Sequence, residues 1–75
     1  MRPIMKTVNP ATLSFAEAVL KDVGINSFVL DQHASIMDGS IGAIPRRLVV
    51  ADEDYNAATR ALELAGLKKE IYRGD

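Results

Sequence analysis

LKDVGI, residues 20–25, returns 42 positions later as LELAGL, residues 62–67. Each segment reads as the end of a helix: an aliphatic periodic residue, then a glycine stop, then another aliphatic residue. A glycine there can take the left-handed conformation that ends a helix, and the aliphatic residue after it closes over the last turn. Two such stops mean two helices, and the residues between them decide how the halves are joined.

Working back from Gly24, the first helix is expected over Pro10–Val23. Asn9 can cap it, and Pro10 suits the first helical position. Leu13, Ala16, Leu20 and Val23 recur at helical spacing, with Phe15 and Val19 widening that face. Working back from Gly66, the second is expected over Glu53–Ala65, capped by Asp52, with an acidic first turn that suits the helix dipole. Tyr55, Ala58, Leu62 and Ala65 repeat the same spacing. Strand-like runs flank them: Ile4–Val8, Ile25–Leu30 and Arg47–Ala51, with Lys69–Arg73 a weaker fourth.

The 42-residue shift that pairs the glycines also pairs Val8 with Val50, Val23 with Ala65 and Ile25 with Leu67. Two βαβ halves in tandem predict an α+β, ferredoxin-like βαββα(β) sandwich, an antiparallel sheet with two helices on one face. Strand one should then lie beside strand three, with strand two on its other side. The reading is one domain over residues 1–75, with a core at about 4–67 and a short C-terminal segment at 68–75. Alternation puts Met5, Val49 and one of Phe28 or Val29 on the face that the helices leave open.

A chain of 75 residues has a thin core, and oligomerisation would help it. Its net charge of −1 gives no long-range attraction to nucleic acid or an anionic membrane. No run approaches transmembrane length, and the start, MRPIMKTVNP, has no apolar signal region. Without cysteine there is no disulfide framework, thiolate zinc site or thiol redox chemistry. A cytoplasmic protein is expected.

The connection between strands two and three is the conspicuous feature. A hairpin needs about two to five residues there, yet this one spans residues 32–45. It mixes turn formers, Asp38, Gly39, Ser40 and Gly42, with apolar Ile36, Met37, Ile41 and Ile44. Apolar residues in a long loop are expected to pack back on the sheet and leave part of their surface for a partner. Arg46 and Arg47 follow, neighbours in an extended segment and so directed to opposite faces. The candidate binding residues are Gln32, His33, Ile36, Asp38, Gly39, Ser40, Ile41, Gly42, Arg46 and Arg47.

Other chemistries fit less well. The glycines lead into a strand, whereas phosphate-binding glycine loops open a helix. Asp31, His33 and Asp38 are too few to specify a metal, and no second histidine exists. His33 with Ser35 or Ser40 lacks a nucleophile-elbow pattern. No catalytic residue, metal or cofactor is assigned.

Asp31-Gln32-His33, then Gly39-Ser40-Ile41-Gly42-Ala43-Ile44-Pro45-Arg46-Arg47, then Val50-Ala51-Asp52-Glu53-Asp54 together resemble a small bacterial family. It carries the description "putative prokaryotic signal transducing protein", a domain of unknown function. The resemblance runs from about Ile4 to Leu67 and implies a PII-like ferredoxin fold. In the nitrogen-regulatory PII proteins, which are trimers, the long loop between strands two and three contacts target proteins and nucleotide binds nearby. No PII-type nucleotide motif is present in this chain. The expectation is a non-enzymatic regulatory module with an unidentified protein partner, a second copy included, acting through that loop. The alternative is a sensor of a small anionic ligand held by Arg46 or Arg47 and loop amides.

Overall fold

The computed structural model describes residues 1–30 and 45–72. Strand β1 (Arg2–Thr7) leads into helix α1 (Pro10–Asp22), then strand β2 (Ser27–Leu30), strand β3 (Arg46–Val50) and helix α2 (Tyr55–Leu64). Short 3₁₀ turns occupy Asp52–Asp54 and Lys68–Glu70.

The start of α1 is set by Asn9, whose extended backbone turns its side chain onto the first turn. Its Oδ1 accepts from the Ala11 amide at 2.9 Å and the Thr12 amide at 3.3 Å, satisfying two otherwise orphaned donors. Asn9→Ala is expected to cost about 1 kcal/mol. Asn9→Asp should keep most of it, since a carboxylate accepts the same bonds beside the positive helix end. Urea titration of the two variants checks the pair.

Both helices end as the glycine repeat predicts, with Gly24 at φ +80° and Gly66 at φ +88°. The Gly24 amide donates to the Lys21 carbonyl at 3.0 Å, and the Ile25 amide to the Leu20 carbonyl at 2.9 Å. In the second half the Gly66 amide donates to Glu63 at 3.1 Å and Leu67 to Leu62 at 2.9 Å. The paired bonds make each end a Schellman motif, and Ile25 and Leu67 both pack against the core.

The sheet has the order β1-β3-β2, with both neighbours of β3 antiparallel to it. Leu13, Ala16 and Leu20 from α1 and Tyr55, Ala58 and Leu62 from α2 pack on Ile4, Met5, Leu48 and Val50 of the strands. Arg2 adds to this side, its guanidinium 3.6 Å from the Tyr55 ring centroid. The fold is an α+β, ferredoxin-like sandwich.

Five local expectations are corrected. Met5, expected on the open face, is completely buried in the core. The register slips between Pro3 and Met5, so Ile4 and Met5 both face the helices across a β-bulge. Val8 lies beyond β1 and is exposed, so its pairing with buried Val50 in the repeat does not hold. Asp52 does not cap α2: it opens a 3₁₀ turn, in which the Asp54 amide donates to the Ala51 carbonyl at 2.9 Å. Phe15 and Val23 are half-exposed rather than part of the buried stripe, Val23 because it is already the C-cap of α1. In place of a fourth strand over Lys69–Arg73, a single antiparallel bridge joins Ile71 to Met5, and the Tyr72 amide donates to the Ile4 carbonyl at 2.8 Å. That contact lies on the outer edge of β1, where the fourth strand of a βαββαβ sheet belongs.

Candidate functional site

Residue pairing across the sheet separates its faces. Met5, Leu48 and Val29 are register partners and lie on the helix side. Val49 pairs with Pro3 on one side and Phe28 on the other, and the three share the opposite face. Arg47 pairs with Lys6 and Leu30 on that same face. The open face therefore carries two adjacent rows: Pro3–Val49–Phe28, wholly apolar, and Lys6–Arg47–Leu30, cationic with an apolar end.

Neither helix covers these rows. Phe28 is 54% exposed and Leu30 51% exposed, both on β2 at the edge of the sheet. Val49, on the central strand between Pro3 and Phe28, is only 4% exposed. Its burial leaves Phe28 and Leu30 as the apolar surface a partner can reach.

Charge is distributed unevenly between the layers. The three strands hold Arg2, Lys6, Arg46 and Arg47 and no carboxylate. Arg46 pairs with Thr7 on the helix side, while Arg47 lies on the open side, so the consecutive arginines are split between the faces as alternation predicts. One ligand on the sheet cannot be gripped by both. Neither the Lys6 nor the Arg47 side chain has a hydrogen bond or ion pair among the described residues.

Of the sequence-predicted binding residues, Gln32, His33, Ile36, Asp38, Gly39, Ser40, Ile41 and Gly42 lie outside the described residues, as do Asp31, Ser35 and the apolar loop residues Met37 and Ile44. The connection that contains them leaves the sheet at Leu30 and returns at Arg46, and Leu30 pairs with Arg47. It therefore meets the sheet beside the cationic row. Lys6 and Leu30 belong to the open face, and sequence reasoning does not single them out. Pro3 is the available signal for Lys6: a residue without an N–H sits at bulges and edges of sheets, and a bulge at this position reverses the alternation that follows.

Among the described residues no group of three or more His, Cys, Asp or Glu is placed to hold a metal ion, and no helix is long and apolar enough to cross a membrane. None of the curated proteins matches the chain significantly. A family model does match, and the span it covers, residues 1–66, runs from β1 to the second glycine stop. The chain belongs to the family described as "putative prokaryotic signal transducing protein".

Proposed function

We propose that the chain is a non-enzymatic regulatory module that binds a protein partner through the open sheet face and the long connection between β2 and β3. The observation that carries this reading is the exposure of Phe28 and Leu30 side by side on a face that neither helix covers. Contiguous apolar surface rimmed by polar groups marks an interaction site rather than ordinary exterior. The six residues of the face, Pro3, Lys6, Phe28, Leu30, Arg47 and Val49, include no carboxylate or imidazole that could serve as a general acid or base. Their chemistry is packing surface with two cations. The family description supports a signalling role and names no partner.

The sensor alternative gains one supporting feature. Arg46 and Arg47 cannot share an anion on the sheet, but Arg47 does share a face with Lys6. Positive charge on the open face is thus held by Arg47, one of the two arginines the sequence offers, together with Lys6, which it does not single out.

Photo-crosslinking in cells tests the interaction reading. A photoreactive side chain at Phe28 should give a discrete adduct with another protein. The same side chain at Ala57, exposed on α2, should not. Identical adducts at both positions, or none at Phe28, would remove the open face as the contact surface.

A further inference from the structure

The cationic row of the open face is arranged unfavourably for an isolated chain. Lys6 and Arg47 are direct register partners on β1 and β3. Like charges opposite each other across an antiparallel pair repel, and no carboxylate on any of the three strands offsets them. A protein that keeps such a pair on an otherwise apolar face has a place for negative charge.

We infer that the open face binds a partner segment in which a carboxylate side chain accompanies apolar ones, the carboxylate over Lys6 and Arg47 and an apolar side chain on exposed Phe28. This rests on the interaction reading above and names the chemistry of the partner. The two rows are two residues apart along β3, a separation of about 6.5–7 Å. Residues i and i+2 of an extended segment match that spacing, and so do i and i+3 or i+4 on a helix face, at about 5–6 Å. The carboxylate removes the Lys6–Arg47 repulsion on docking, so its bond to the pair is stronger than one to a single solvated cation. The exposed Phe28 and Leu30 supply the area that holds the segment. A second copy is a poor occupant of this face. Docked face to face it would present the same two cations, and none of its three strands carries a carboxylate in return, adding repulsion across the interface.

Selection from a display library of random short peptides against the full chain tests the inference, with amide shifts of Lys6, Phe28 and Arg47 locating the contact. Selected peptides should be enriched in Asp or Glu within four positions of an apolar residue. Their binding should weaken as salt is raised. The Lys6→Gln/Arg47→Gln double variant, checked for folding by circular dichroism, should bind them about tenfold less tightly. Replacing the peptide carboxylate by its amide should do the same, whereas free acetate should shift none of the three amides at matched concentration. Four outcomes overturn the inference: apolar peptides without carboxylates, double-variant binding within about twofold of wild type, shifts confined to the helices, or no selected peptide. Self-association that masks Phe28 in sedimentation would also overturn it, in favour of a second copy. The interaction reading fails separately, through the crosslinking comparison at Phe28 and Ala57.

Discussion

Leu20→Ala is expected to remove about 2–4 kcal/mol of stability, the largest loss among single core truncations of α1. Leu20 is completely buried at the last turn of the helix, and its carbonyl also accepts the Ile25 amide that closes the Schellman motif. Truncation leaves that backbone bond in place, so the loss comes from emptied volume against the sheet and α2. The neighbours cannot collapse freely into the space, because Ile4 and Leu48 are held on paired strands. For a domain of this size each kcal/mol is worth about 4–8 °C of melting temperature, so the variant should melt roughly 8–32 °C lower. A chain with total stability of about 4–11 kcal/mol loses a large share of it. Thermal unfolding followed by circular dichroism measures this directly. A shift below about 4 °C would mean that the core refills the site.

Gly24→Val is expected to cost about 1–2 kcal/mol through backbone strain alone. The backbone sits at φ +80°, where a side chain with a β-carbon is strained, and an added Cβ would meet no atom within 4 Å. The β-carbon therefore collides with no surrounding residue, and the expected effect is conformational. Gly66 provides an internal control, with φ +88° and the same empty surroundings. Valine there should cost the same within a few tenths of a kcal/mol, since the two sites are independent ends of separate helices. Asparagine at either position should cost less, because it tolerates left-handed backbone. Urea titrations of the four variants decide the matter. A Gly24→Val protein as stable as wild type would show that the helix end can rewind into an ordinary conformation.

The equivalence of those two glycines is legible in the sequence because a Schellman end is written within six consecutive residues. Leu20 to Ile25 and Leu62 to Leu67 carry the whole motif, and no distant neighbour has to be known. The strand order follows from it, since two βαβ halves have few ways to share one sheet. Alternation puts Met5 on the wrong face because it counts residues, and a bulge spends one without advancing the ladder. Asp52 misleads for a different reason. Three consecutive acids suit both a cap and a tight first turn, and only backbone geometry distinguishes the two. The candidate site is legible in part. The split between Arg46 and Arg47 follows from strand period alone, whereas the meeting of Lys6 with Arg47 requires the register between strands far apart in the chain. Phe15 and Val23 show the limit of helical periodicity. Spacing says which residues share a face but not how wide a stripe the sheet can cover.

The bridge from Ile71 to Met5 bears on where this domain can be cut. The family match ends at residue 66, but folding does not. Ile71 is a buried member of the core, and with Tyr72 it occupies the outer edge of β1. A chain trimmed to the matched span would lose that side chain and bare the carbonyl of Ile4. Among the described residues it would then have two unpaired strand edges, one at β2 and one at β1, where the longer chain has the β1 edge partly closed. Sheets with both edges bare can stack end to end, so the few residues past the second glycine act as a stopper against polymerisation.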